Sequence, residues 1–311
     1  MTKIDIKSKV LGGLLGSAIG DAIGELAFHY PEKERLFSQV DRTSQLRYTD
    51  DTAMAIGLAE SIINEGGLDQ NQLGETFRQN FLKEPWRGYA SGPPTIFSQV
   101  EQFGLTYKEA AKNLFGGHGS YGNGAAMRVV PVGLLFQPTH DLYTQARASA
   151  EVTHAHPVGV DGAAVQACAV AQAVKRDPRK NFSAEEFIQG LIDFSQTSEI
   201  KSKMKRVREL IANNARPAIA AEKIGRSVAV QESMPFAIYA FLRHPRSFED
   251  CLLCAILNGG DRDTLGAMAG AISGAFLGLE SIPESWPRKL ENRAYIEELG
   301  RSLAGIVTDP S

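Results

Sequence analysis

The sequence predicts an all-α protein. Three observations carry this. Alanine- and leucine-rich stretches with apolar residues at helical spacing recur along the chain, long alternating β-branched runs are absent, and the connections are short. Helices are expected at roughly 7–27, 51–65, 70–82, 107–115, 124–136, 141–152, 157–175, 184–197, 200–213, 217–226, 231–242, 247–257, 264–278 and 288–306. Within 51–65, for example, Ala53, Ile56, Leu58, Ile62 and Ile63 form an apolar stripe. No composition shift or Pro/Ser-rich linker divides residues 1–311, so one domain is expected. With 43% hydrophobic and 22% charged residues, the chain has globular rather than disordered composition, and its 311 residues can bury a sizeable core.

Charge and cysteine usage narrow the classes further. A net charge of −3 offers no basic surface for nucleic acid or an anionic membrane, so neither partner is expected. The three cysteines, Cys168, Cys251 and Cys254, are too few and too odd in number for a disulfide framework, which favours a reducing cytoplasm. Cys251 and Cys254 sit in apolar Asp-Cys-Leu-Leu-Cys-Ala-Ile-Leu with no second pair to close a zinc site, so they read as buried helix positions. Val10 to Phe28 is apolar, but Asp21, Glu25 and five glycines interrupt it, which argues against a signal or membrane segment. A cytoplasmic, unprocessed monomer is the expectation.

Two of the predicted helices carry a matched device. Gly12, Gly16, Gly20 and Gly24 recur every fourth residue, as do Gly266, Gly270, Gly274 and Gly278, which puts each set on one helical ridge. Interior helical glycine costs about 1 kcal/mol relative to alanine, so a compensating gain is required. Close backbone packing of these helices on each other or on a shared neighbour is one reading. Small-residue packing against unrelated partners is the other.

Two helix starts hold the clearest chemistry. Tyr48-Thr49-Asp50-Asp51-Thr52 precedes the helix at 51–65, and Gly259-Gly260-Asp261-Arg262-Asp263-Thr264 precedes the second glycine helix. Either alone reads as capping, since Asp and Thr are good N-caps and carboxylates suit the positive end of the helix dipole. A cap needs one such side chain, however, and each cluster has two carboxylates with flanking threonines. If the clusters meet, four carboxylates repel until protons or cations relieve them. Two divalent cations would balance the charge, and oxygen donors without His or Cys suit Mg²⁺, with Mn²⁺ as a substitute. Thr49, Asp50, Asp51, Asp261, Asp263 and Thr264 are the candidate ligands.

A glycine-rich run from Gly116 to Gly124, including Gly119, Ser120, Tyr121, Gly122 and Asn123, leads into the helix expected at 124–136. It lacks the Gly-Lys-Ser/Thr of a Walker loop and follows no strand, so neither common nucleotide fingerprint applies. Beside a dication site it fits a diphosphate cradle; on its own it fits a flexible connection. Arg87 to Thr95 mixes glycine, proline and an aromatic, and lines a ligand cleft through Gly88 and Gly92 or forms a plain turn. In Thr153-His154-Ala155-His156, neighbouring rings at a helix boundary point to different faces, which argues against a shared zinc; His154 is the candidate pocket residue and His156 the structural one.

Taken together these stretches resemble the ADP-ribosylglycohydrolase family. The matching segments are Gly20-Asp21-Ala22-Ile23-Gly24, Tyr48 to Met54, Arg87-Gly88-Tyr89, Gly119 to Gly124 with Ala126-Met127-Arg128, Thr153-His154-Ala155, Gly259-Gly260-Asp261 with Asp263-Thr264, and Pro283-Glu284-Ser285-Trp286. They occur in family order from near residue 10 to near residue 305, and the similarity is greatest to the branch acting on serine-linked ADP-ribose and poly(ADP-ribose). The resemblance implies a compact orthogonal multi-helix bundle with two Mg²⁺ ions held by the six residues above. It implies ADP-ribose contacts from Ser120, Tyr121, Gly122, Asn123 and His154, with Phe115 near the adenosine end. The implied partners are ADP-ribosylated proteins or ADP-ribose derivatives.

Two positions depart from the family pattern. Relatives often carry a glutamate four residues after the second glycine of Gly-Asp-x-x-Gly, which in serine-directed members helps gate the metal site. Phe28 stands there, and the nearest glutamate is Glu25, so either Glu25 takes over from another turn or gating differs. Arg262 replaces a small polar residue, and would bind the acceptor or offset the carboxylate charge. The expected reaction is Mg²⁺-dependent hydrolysis of the glycosidic bond between ADP-ribose and its acceptor, through an oxocarbenium-like transition state. Asp50, Asp51 and Asp263, with Glu25, are the candidate catalytic residues, and Asp50 or Asp263 would align the attacking water. The acceptors expected are serine, poly(ADP-ribose) or O-acetyl-ADP-ribose. The alternatives are an arginine-directed hydrolase and a non-catalytic ADP-ribose binder on the same fold.

Overall fold

A computed structural model describes residues 5–136 and 140–308, apart from the side chains of His140 and Thr308. Its helices are α1 (Ile6–His29), α2 (Lys33–Arg42), α3 (Asp50–Glu65), α4 (Gln70–Lys83), α5 (Gly92–Phe103), α6 (Tyr107–Gly117), α7 (Gly124–Met127), α8 (Val130–Leu135), α9 (His140–Glu151), α10 (Pro157–Lys175), α11 (Ala184–Phe194), α12 (Ser198–Ala212), α13 (Pro217–Ile224), α14 (Val230–Arg243), α15 (Phe248–Ile256), α16 (Arg262–Leu277), α17 (Ser285–Lys289) and α18 (Arg293–Thr308). Among the described residues there is no strand, only isolated bridges of Leu46 with Leu290 and of Gly122 with Ala229. The all-α expectation holds.

The helix starts and stops follow local chemistry. Thr106 and Glu109 form a reciprocal capping box at α6, and Asp69, Ser183, Thr197 and Ser247 each accept a backbone N–H at the start of α4, α11, α12 and α15. Left-handed Gly66 and Gly104 end α3 and α5.

The central packing is α1 against α16, the most extensive helix pair among the described residues. The two glycine ridges face each other. A Cβ on Gly12 would lie 2.5 Å from Gly274 O, and one on Gly16 would lie 2.5 Å from Gly270 O. The same opposition continues from Gly20 to Gly266 and from Gly24 to Arg262. Only hydrogen fits between these backbones, so the close-packing reading is the one the structure supports. The apolarity of α1 belongs to this core: the helix is long and apolar enough to cross a membrane, but 89% of its most apolar window is buried inside the molecule. The crossing brings Asp21 in mid-α1 and the N-terminus of α16 to one end of the bundle, where the site lies.

Several elements differ from expectation. The helix expected at 124–136 is α7 and α8, with Pro131 at the start of α8. The helix expected at 288–306 is interrupted at Leu290 to Asn292, where Asn292 is left-handed (φ 52°) and Leu46 pairs with the chain. Two helices lie outside the expected set, α2 and α5.

Candidate active site

The site is built outward from Asp21. This carboxylate is fully buried in α1 and accepts from Thr49 N (3.1 and 3.0 Å), Thr49 Oγ1 (2.8 Å), Thr52 N (3.0 Å) and Thr52 Oγ1 (2.6 Å). It therefore pins the first turn of α3 to α1 and fixes where Asp50 and Asp51 stand. Burial still raises its pKa to about 6, against the pull of those hydrogen bonds. The sequence signals Asp21 as an acid inside an apolar, glycine-rich helix and within the family-matching segment Gly20-Asp21-Ala22-Ile23-Gly24, but assigns it no role.

Asp50 and Asp51 from α3 meet Asp261 and Asp263 from the start of α16 in the wall of one cleft of about 780 Å³. Burial and then the nearby Asp21 charge raise the Asp50 pKa to about 7. Burial and then Asp261 raise that of Asp263 to about 8. Asp51, 2% exposed, is raised well above the carboxylate range by burial and then by Asp263, Asp21, Asp50 and Asp261. Its Oδ2 lies 3.1 Å from Thr49 Oγ1, whose one proton it competes for with the nearer Asp21 Oδ1, while Oδ1 is buried with no hydrogen-bond partner. A buried carboxylate oxygen left in this state lacks a proton or a cation. Asn123 Nδ2 donates to Asp261 Oδ2 at 2.7 Å and ties the glycine loop to the acidic cluster. Among the described residues no three acidic or histidine side chains close into a ready-made metal cage. The oxygen donors come instead from both helix starts, with Thr264 in the cleft wall and Thr49 behind it, turned to Asp21 and Asp51.

The glycine loop lines the same cleft and adjoins the acidic cluster through Asn123. Gly119, Ser120, Tyr121, Gly122, Asn123 and Gly124 all line the cleft, with His154, His156 and Phe115. Phe115 is expected at the end of a helix but leaves it in a left-handed conformation (φ 53°) and is 66% exposed at the rim. Gly119 has φ +71° and packs so tightly on the 155–156 backbone that a Cβ would lie 2.8 Å from His156 N. His156 does serve structure, accepting from Val158 N at 3.2 Å to cap α10, and it also faces the cleft against the edge of Tyr121. His154 is 8% exposed, and burial followed by the neighbouring Arg128 charge lowers its pKa to about 3, so its ring is neutral.

Gly88 and Gly92 also line the cleft, and a Cβ on Gly88 would come 3.7 Å from Asp50 Oδ1. Arg87 braces this segment: it is buried, donates to Tyr48 O at 3.0 Å, pairs with Glu84 and Glu291, and stacks on Tyr48. Gly92 and Pro93 start α5, so the Gly-Pro-Pro stretch is a helix N-terminus rather than a plain turn. Glu25 is half-buried on α1 and is not among the cleft-lining residues, and Phe28 is 45% exposed. Arg262 also stays out of the cleft wall: its guanidinium donates to Ile256 O at the end of α15.

Comparison with known proteins matches this arrangement to a family. The ADP-ribosylglycohydrolase family model fits residues 2–310. The ADP-ribosylhydrolase ARH3 of Mus musculus is 35% identical over 305 residues, 87% of this chain and 80% of the relative. The ADP-ribosylhydrolase ARH3 of Homo sapiens is 35% identical over 298 residues, 85% of this chain and 80% of the relative. A solved ADP-ribosylglycohydrolase-related protein complex shares the fold with a TM-score of 0.69 at 23% identity, covering 97% of this chain and 99% of that one. With the family pattern running from end to end and relatives above 30% identity over most of the length, the chain belongs to the ADP-ribosylglycohydrolase family of glycosidic-bond hydrolases.

Proposed function

We propose that the cleft binds ADP-ribose with its distal ribose at the acidic end, and that Thr49, Asp50, Asp51, Asp261, Asp263 and Thr264 hold two Mg²⁺ ions there, with Mn²⁺ as a substitute. The observation that carries this is the buried, partnerless Asp51 Oδ1 inside a cluster of four carboxylates. The donor set supports it, being oxygen only, with threonine hydroxyls beside the acids. When bound, the cations supply positive charge that offsets the carboxylates and orients the ribose hydroxyls.

The chain's own groups do the rest. Asp50 or Asp263 orients the attacking water toward C1. The acidic cluster favours the positive charge that develops on the ribose as the acceptor leaves. The loop from Gly119 to Gly124 and the neutral His154 hold the diphosphate, and Phe115 and Tyr121 cover the adenosine end. The acceptor on this reading is O-linked serine, poly(ADP-ribose) or O-acetyl-ADP-ribose, as the motif resemblance implies; the 35% identity to proteins named ADP-ribosylhydrolase ARH3 supports cleavage of an ADP-ribosyl bond. Three free, buried cysteines support a cytoplasmic setting.

The test is a panel of serine-linked, arginine-linked and polymeric ADP-ribose, each with Mg²⁺ or with a chelator. Release of ADP-ribose from the serine-linked or polymeric substrate, and only with the cation, is the expected result. Release from the arginine-linked substrate alone reassigns the acceptor. Binding without release from any of them makes the protein a binder instead of an enzyme with this substrate.

A further inference from the structure

The ring of His154 is wired to a charge that does not touch the cleft. Arg128 is wholly buried and sits over the Phe77 ring. Its guanidinium donates to Gly124 O at 3.0 Å, to Ser149 O at 2.9 Å and to Thr153 Oγ1 at 2.7 Å. Thr153 is 1% exposed, and its hydroxyl has one other hydrogen-bond contact among the described residues, His154 Nδ1 at 2.7 Å.

Donor and acceptor counting settles the direction of these bonds. A guanidinium has no lone pair, so Thr153 Oγ1 accepts from Arg128. The hydroxyl proton then has one acceptor within reach, His154 Nδ1. The reverse assignment, with Nδ1–H donating to the hydroxyl, leaves that proton buried and unpaired, at the full desolvation penalty. We infer that Arg128 is a positioning residue that, through Thr153, locks His154 in the Nε2–H tautomer, so that His154 meets the ligand as a hydrogen-bond donor and not as a base.

The Nε2 edge faces the glycine loop: a Cβ on Gly122 would lie 3.5 Å from it and one on Gly124 3.1 Å from it. Both glycines and His154 line the cleft, so the N–H is offered to an oxygen of a ligand held by this loop. A phosphate oxygen fits, being an acceptor with no proton of its own at neutral pH. Its identity rests on the reading of the cleft as an ADP-ribose site; the tautomer does not. Burial and the nearby Arg128 charge keep the ring neutral, in line with a donor that carries one proton.

The tautomer is measured on the ligand-free protein by long-range proton–nitrogen correlation NMR at neutral pH, with His154 identified by its absence in His154→Gln. The expected spectrum shows the proton on Nε2 and an unprotonated Nδ1. Thr153→Val, close in shape but without the hydroxyl, is expected to lose the fixed tautomer and to bind ADP-ribose about tenfold more weakly by calorimetry, and Thr153→Ser to restore both. A proton on Nδ1 in the wild type, or an unchanged Nε2–H tautomer in Thr153→Val, overturns the inference. The wild-type spectrum alone decides if Thr153→Val fails to fold. If ADP-ribose does not bind the wild type, the ligand reading of the cleft falls while the spectrum still decides the tautomer.

Discussion

A buried carboxylate oxygen with no partner destabilises the fold that contains it, and Asp51 Oδ1 is such an atom. Replacing Asp51 with asparagine removes the charge while keeping the shape. The expected result is a higher melting temperature for the chelator-treated protein, loss of any Mg²⁺ effect on that temperature, and turnover reduced on the order of 10³-fold. Calorimetry with and without Mg²⁺, paired with an ADP-ribose release assay, checks all three. Asp21→Asn tests a different role. Asparagine offers a single carbonyl oxygen where the Thr49 and Thr52 backbone and hydroxyl groups now share two, so the turn bearing Asp50 and Asp51 loosens. A fall of roughly 10–100-fold in Mg²⁺ affinity, read by titration calorimetry on a folded variant, is expected. The paired acids at residues 50–51 and 261–263 were legible because each pair exceeds what a helix cap needs. The role of Asp21 was not, although its segment carries part of the family resemblance, because its partners lie 28 and 31 residues away. The reach of Arg262 was equally hidden: its neighbours in sequence are acids of the site, but its guanidinium turns back to Ile256 O.

At the scale of the helix, the repeat of glycines every fourth residue was readable and its partner was not. Period alone gives a ridge; only the folded chain shows that the ridge of α1 lies on that of α16. The consequence is steric. Gly16→Val forces a side chain against Gly270 O and Phe248, and Gly270→Val does the same from the other helix against Gly16 O. Each is expected to cost about 3 kcal/mol or more in urea unfolding. Gly67→Ala, where an added Cβ meets nothing within 4 Å, is the control and is expected to stay within about 0.5 kcal/mol of the parent. Bulky ridge variants with parental stability would remove the packing argument. The elements the sequence obscured have local causes too. α5 opens with Gly92-Pro93-Pro94, which reads as a turn until proline's fitness for a helix's first positions is given its due. α2 spans ten residues and is mostly polar, burying only Leu36 and Val40, so its apolar residues, although confined to one face, are too few to announce a helix.

The same crossing links the site to the stability of the whole molecule, because folding is what gathers acids from α1, α3 and the start of α16 into one desolvated cluster. In the unfolded chain each titrates near pH 4. Folded, Asp21 moves to about 6, Asp50 to about 7 and Asp263 to about 8, each chiefly through burial. Between about pH 4 and about pH 8 the metal-free folded state therefore binds more protons than the unfolded one. Stability from these groups is complete below the lower limit and is lost as pH rises through the folded values. Divalent cations compete with those protons, so their stabilising effect grows over the same window. The expected result is a melting temperature in chelator that falls between about pH 5 and about pH 8, and a rise of roughly 8 °C at the upper pH when Mg²⁺ is added at ~100 times the dissociation constant of each of its two sites. At the lower pH the same addition is expected to do little. Scanning calorimetry at the two pH values reads this directly. A melting temperature at pH 8 that ignores both Mg²⁺ and Mn²⁺ would mean that protons and hydrogen bonds alone satisfy the cluster, and the metal assignment would have to be withdrawn.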